Sequence, residues 1–120
     1  MRRRRRYIQG VDSDYTPQQV AELIARGGEI QLIDVRQPYE HEAGRISGGR
    51  LIELAQLARQ ADTIDRDRPV VFYCRSGSRS AVAAQAFREA GYDARNMTGG
   101  LLDWEAAGLP LEPQDGYVAS

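Results

Sequence analysis
A chain of 120 residues has room for one compact core and not for two, and 42% apolar residues is ordinary for a globular domain. A single cysteine excludes an internal disulfide and any thiol-rich zinc site, and no apolar run approaches the length of a membrane span. The net charge of −1 hides an asymmetry: Arg2 to Arg6 hold five of the sixteen cations, so eleven face seventeen acids in the rest, a mildly acidic body unsuited to nucleic acid.

The arginine run has no interleaved aromatics, no amphipathic helix behind it and no apolar stretch of the secretion-signal kind. Residues 1–14 therefore read as a flexible basic segment ahead of a domain over residues 15–113, with residues 114–120 as a loose C-terminal tail. Thr16-Pro17-Gln18-Gln19 has the capping-box pattern that opens a helix, and Val20, Leu23 and Ile24 give it an apolar stripe. Gly27-Gly28 end it. The run Ile30 to Val35 reads as a buried strand, and a short polar helix fits Pro38 to Ala43, stopped by Gly44. After a turn around Ser47-Gly48-Gly49, the stretch Leu51 to Ala61 has helical spacing at Leu54, Leu57 and Ala58.

Pro69 to Tyr73 is the strongest strand and delivers the chain to Cys74. A helix is predicted from about Ser80 through Phe87, with Ser80 as its N-cap and Gly91 closing it. A strand over Ala94 to Met97 and a last short helix over Leu101 to Ala106 follow. Strands alternating with helices predict an α/β fold, a central parallel sheet with helices on both faces.

In such a sheet, ligands bind beyond the carboxyl ends of the strands, and Cys74 stands there, between a strand and a helix. A tight loop at that place turns successive backbone N–H groups toward one point, and the helix dipole adds to the attraction for negative charge. A thiolate is such a charge, so the thiol pKa should fall and no histidine base is needed. Arg75 and Arg79 can attract an anionic substrate, Gly77 serves the sharp turn, and Ser76, Ser78 and Ser80 supply hydroxyl donors. The plain alternative is that Cys74 is a small buried hydrophobe, for which an Arg- and Gly-rich loop is a poor place. His41 lies between two glutamates and reads as a surface residue. The absence of Gly-x-Ser-x-Gly argues against a hydrolase elbow, and Gly99-Gly100 reads as a turn. Trp104 reads as a packing anchor.

The loop Cys74-Arg75-Ser76-Gly77-Ser78-Arg79-Ser80 after an apolar strand resembles the active-site loop of the rhodanese family. Leu32-Ile33-Asp34-Val35-Arg36 with Glu40 and Gly44-Arg45-Ile46 is similar to the family's first signature, and Asn96-Met97-Thr98-Gly99-Gly100 with Trp104 and Gly108-Leu109-Pro110 to its last. The resemblance implies a sulfurtransferase that carries sulfur on Cys74 as a persulfide, with residues 75 to 79 as the cradle. It implies that Asp34 and Arg36 brace the fold, with Ser80 in support. The six residues from Cys74 to Arg79 match the sulfur-transfer length; the related phosphatases and arsenate reductases have one more, to hold a tetrahedral anion. A docking module that keeps the shape without the chemistry is the other reading. The donor would be thiosulfate or a persulfide, the acceptor cyanide, a thiol or a sulfur-relay protein. No cofactor, metal, nucleic acid or membrane is called for, and a reactive thiol suits the reducing cytoplasm.

Overall fold
Strands buried on both faces need apolar side chains at every position, and Val70-Val71-Phe72-Tyr73 supplies them without a break. In the computed structural model, which describes residues 14–120, this segment is the strand β3 (Val70–Tyr73), and all four of its residues are buried. It pairs in parallel with β1 (Gln31–Asp34) on one side and β4 (Ala94–Asn96) on the other, and β2 (Arg50–Leu51) joins the far edge of β1. The sheet order is β2-β1-β3-β4, all parallel. The arginine run and the rest of residues 1–13 lie outside the described residues.

Side chains alternate faces along a strand, so two cores form from one sheet. Ile33, Val35, Val70, Phe72 and Cys74 point to one face and pack with Ala83, Ala84 and Phe87 of the helix α3 (Ser78–Glu89). Phe72, Phe87 and Tyr92 stack in tilted pairs there, with ring centroids 5.0 and 4.7 Å apart. Leu32, Val71 and Tyr73 point to the other face, against Val20 of α1 (Pro17–Ala25) and Leu101 and Trp104 of α4 (Gly100–Ala106). Each large apolar side chain buried in this way contributes roughly 1.5–3 kcal/mol. The α1 start is the expected capping box, with Thr16 and Gln19 exchanging side-chain bonds at 2.8 and 3.1 Å. Trp104 is an anchor: its indole N–H donates to the Pro110 carbonyl at 2.8 Å. Among the described residues no helix is long and apolar enough to cross a membrane.

Three expectations need correction. Leu51 to Ala61 is not a helix: it holds the edge strand β2 and a single 3-10 turn over Leu54–Gln56, with another opening at Ala61–Thr63. The edge of β1 competes for this backbone. The Ile52 N–H donates to the Asp34 carbonyl and the Leu54 N–H to that of Val35, so the chain stays extended until the sheet releases it. Leu57 still reaches the core. Secondly, α3 begins at Ser78 with Gly77 as its N-cap, so Ser80 lies inside the helix, fully buried. Thirdly, the segment after Pro113 is not loose: the Tyr117 N–H donates to the Ala43 carbonyl at 2.9 Å, and Val118 packs against the second core. Just ahead of this segment, Arg45 and Glu112 exchange backbone bonds at 2.9 and 2.7 Å.

Candidate active site
Because Cys74 follows β3 in register with Phe72, its side chain turns toward α3 rather than out to solvent. The chain reverses over Arg75 and Ser76 and enters α3 through Gly77, whose φ of 98° is open to glycine and strained for other residues. That turn aims the Gly77 N–H at Cys74 Sγ, 3.1 Å away, and the first turn of α3 brings Ser80 Oγ to 3.3 Å. Burial pushes the Cys74 thiol up, but the Ser80 hydroxyl and the N–H groups of Ser80, Gly77 and Ser76 outweigh it and leave the pKa below the ordinary thiol value.

The loop keeps its N–H groups inward because its carbonyls are occupied elsewhere. The first N–H groups of α4 take them: Leu101 donates to the Cys74 carbonyl at 2.9 Å and Leu102 to that of Arg75 at 3.0 Å. This needs a bare backbone at Gly100, where a Cβ would sit 2.5 Å from the Arg75 oxygen and 2.6 Å from that of Cys74. The Gly99-Gly100 pair therefore does more than turn the chain: it docks one helix end on the loop.

The structure separates the remaining site candidates. Ser76 and Ser78 are exposed at the rim, their hydroxyls 3.4 Å apart. Arg75 is half-buried, and its Nε has no hydrogen-bond partner among the described residues. Arg79 is held in a fork by the buried Glu40 of α2 (Pro38–Ala43), at 2.9 and 3.0 Å. Asp34 and Arg36 form a separate buried pair, with Nε and Nη2 of Arg36 on the two carboxylate oxygens at 2.8 and 2.7 Å. Arg36 also donates to the Gly44 carbonyl at 2.8 Å, tying the end of β1 to the end of α2. Desolvation opposes the charge on Arg36, but Asp34 more than offsets it and holds the guanidinium pKa above its ordinary value. None of these Asp34 and Arg36 bonds goes to residues 74–79.

His41 is not on a solvent face. Its Nδ1 lies 2.8 Å from Asp34 Oδ2, because the carboxylate retains a lone pair that α2 covers with this side chain. Two further participants were not singled out from sequence, Glu40 as the clamp on Arg79 and Asn96, which meets Ser80 from β4. Both sit in the signature stretches, yet nothing in their spacing shows that they reach the loop.

Glu40 carries a checkable consequence. Burial raises its pKa, but the Arg79 bonds and the Gln37 N–H outweigh this and hold the carboxyl below its usual range. A lowered carboxyl pKa stabilises the fold above the unfolded value, about 4.3, and loses that contribution as pH falls through the folded value. Glu40→Gln keeps the cap on Gln37 and removes the charge pairing, at a cost of about 1–3 kcal/mol near neutrality, since the carboxylate is buried and Arg79 is partly exposed. Unfolding midpoints across pH should show wild type above the variant at pH 7 and the gap closing below about pH 4.

Residues 16–107 match the model of the Rhodanese-like domain. The chain belongs to the rhodanese-like family. A sulfurtransferase of Allochromatium vinosum is 31% identical over 110 residues, covering 91% of this chain and 99% of that protein. An HTH-type transcriptional regulator of Mycobacterium tuberculosis is 39% identical over 77% of this rhodanese-like chain, which spans only 42% of the regulator's length. The crystal structure of a rhodanese-related protein from Thermoplasma volcanium superposes with a TM-score of 0.76 at 26% identity, covering 82% of this chain and 95% of that one. The family assignment rests on the domain match, and one relative of similar length is named a sulfurtransferase.

Proposed function
We propose that this rhodanese-like domain moves sulfane sulfur from an anionic donor such as thiosulfate, or from a persulfide, to a nucleophilic acceptor through a persulfide on Cys74. The observation that carries the reading is the thiol itself, which meets the Gly77 N–H and the Ser80 hydroxyl at 3.1 and 3.3 Å at the mouth of α3. The Cys74 thiolate attacks the outer sulfur of thiosulfate; a sulfur–sulfur bond forms, the donor's own breaks, and sulfite leaves with the electron pair. The outer sulfur then carries the negative charge, within reach of the loop N–H groups. An acceptor such as cyanide or a thiol attacks that sulfur and restores the thiolate. In this reading Arg75, whose Nε has no hydrogen-bond partner among the described residues, draws the donor in, and Ser76, Ser78 and Arg79 with its Glu40 clamp complete the rim. No cofactor or metal takes part. The chain has no second cysteine to resolve the persulfide, so a thiol, cyanide or a sulfur-relay protein must take the sulfur, in a compartment that keeps thiols reduced.

A docking module without chemistry is the second reading, and the full burial of Cys74 favours it, since a donor reaches Sγ only when the loop opens. Intact mass before and after incubation with thiosulfate, then with an organic persulfide, separates the two. We expect a gain of one sulfur, about 32 Da, located on the Cys74 peptide and removed by cyanide. No gain from either donor would overturn the sulfur-transfer reading in favour of the docking module.

A further inference from the structure
Ser80 Oγ stands between two groups that compete for one proton. Asn96 Oδ1 is 2.5 Å away on one side and Cys74 Sγ 3.3 Å on the other, and all three residues are buried. A hydroxyl has a single hydrogen and two lone pairs, so it can donate to one neighbour only. The orientation of the Asn96 amide is set by the Gly77 carbonyl, which accepts from Nδ2 at 3.3 Å and would repel the amide oxygen. Oδ1 therefore faces Ser80 as an acceptor, and Ser80 donates to it. Cys74, as a neutral thiol, then donates its own S–H to Ser80 Oγ.

Ionisation breaks this chain. Once Cys74 has lost its proton, Ser80 can meet the thiolate only by turning its hydrogen away from Asn96, which leaves two oxygens facing each other at 2.5 Å. Formation of a sulfur–sulfur bond reverses the change: the inner sulfur becomes neutral, the charge moves to the outer sulfur, and the Ser80 hydrogen returns to Asn96. We propose that Asn96 is a positioning residue that keeps the Cys74 thiolate nucleophilic by competing with it for the Ser80 hydrogen. The bond to Asn96 is absent in the thiolate and present in the loaded state, so it favours transfer over resting. This deepens the reading of Cys74 as the sulfur carrier and rests on it.

Among the described residues, the hydrogen bonds of the Asn96 side chain go to Ser80 and the Gly77 carbonyl, not to the other charges around the thiol. They are Arg75 in the loop, Arg79 on α3 with Glu40 of α2, and Asp34 with Arg36 at the end of β1. Asp14 meets Asn96 at the backbone N–H, at 3.2 Å, and pairs with Arg88 of α3 at 3.9 Å.

The test is the pH profile of the reaction of Cys74 with dithiodipyridine, an aromatic disulfide whose released thiopyridone is read by absorbance. For Asn96→Ala the midpoint should fall by about one pH unit, because the Ser80 hydrogen is now free for the thiolate. The high-pH plateau should slow about threefold, since nucleophilicity falls with basicity at a Brønsted slope of about 0.4–0.5. Asn96→Val, which fills the space with a residue suited to a strand, should behave alike and covers the case that the alanine variant folds poorly. Ser80→Ala should raise the midpoint, and adding Asn96→Ala to it should change nothing further. A midpoint unchanged or raised in both Asn96 variants, or the same shift with and without Ser80, would overturn the proposal. Sulfur loading read by mass in the same samples keeps the two readings apart. Loading without a midpoint shift overturns the role of Asn96 alone; a midpoint shift without loading overturns the sulfur-transfer reading and leaves the proton competition standing.

Discussion

Cys74→Ser is expected to abolish sulfur loading, with thiocyanate formation from thiosulfate and cyanide falling by at least about 10³-fold. The serine hydroxyl fits the same place and keeps the bond to Ser80, so the fold should be unaffected. The chemistry goes for two reasons. An alcohol is almost wholly protonated at any pH the protein survives, and donors that lower a thiol pKa do not bring an alcohol into range. An oxygen is also a poor carrier of sulfane sulfur, whereas the persulfide is a stable two-sulfur unit. The measurement is intact mass and steady-state thiocyanate formation on both proteins, with a thermal melt to show that the variant is folded. Loading that persists in the variant would place the sulfur on another residue and remove Cys74 from the mechanism.

Asp34→Ala should cost about 3–5 kcal/mol of stability, the largest loss expected from any single substitution outside the loop. Asp34 and Arg36 are both fully buried, and the guanidinium offsets its lost hydration with the carboxylate, the Gly44 carbonyl and the Tyr73 ring 5.7 Å away. Its Nη1 already has no hydrogen-bond partner among the described residues. Removing the carboxylate leaves a buried charge unpaired and also strips His41 of its partner. Chemical denaturation gives the number directly. Adding Arg36→Met, which removes the stranded charge, should recover a large part of the loss, because a replaced pair costs far less than a broken one. Equal stability of the single and double variants would mean that charge burial is not what makes Asp34 matter. The folded fraction of either variant should still load sulfur, since the Asp34 and Arg36 bonds do not reach the Cys74 loop.

Much of this architecture was legible in the order of residues because it depends on local patterning. A continuous apolar run at Val70–Tyr73 specifies a strand buried on both faces, and the Thr16, Pro17 and Gln19 pattern specifies a helix start that the structure reproduces. The place of Cys74, between a strand and a helix, follows from the same reading. Where sequence reasoning went astray, a longer-range partner had outbid a local preference. The spacing of Leu54, Leu57 and Ala58 is helical, but the edge of β1 claims the backbone N–H groups of Ile52 and Leu54 first. Ser80 has the composition of an N-cap, but the positive φ of Gly77 starts the helix early and turns the hydroxyl inward to Sγ.

The sequence by itself determined an α/β domain with a parallel sheet, a lone thiol at the carboxyl end of its strongest strand, and the six-residue loop that follows. Only the tertiary structure decided what surrounds that thiol. Glu40 lies 39 residues before Arg79 in the chain, and Asn96 lies 16 residues after Ser80, yet each pair is in hydrogen-bond contact. Hydrogen bonds of a few ångströms depend on how the sheet orders its strands, and placing β1, β3 and β4 side by side brings α2, the Cys74 loop and Asn96 to one end of the sheet. Periodicity and capping act over one or two turns and carry no information across such distances, so they find the nucleophile and leave its partners to the fold.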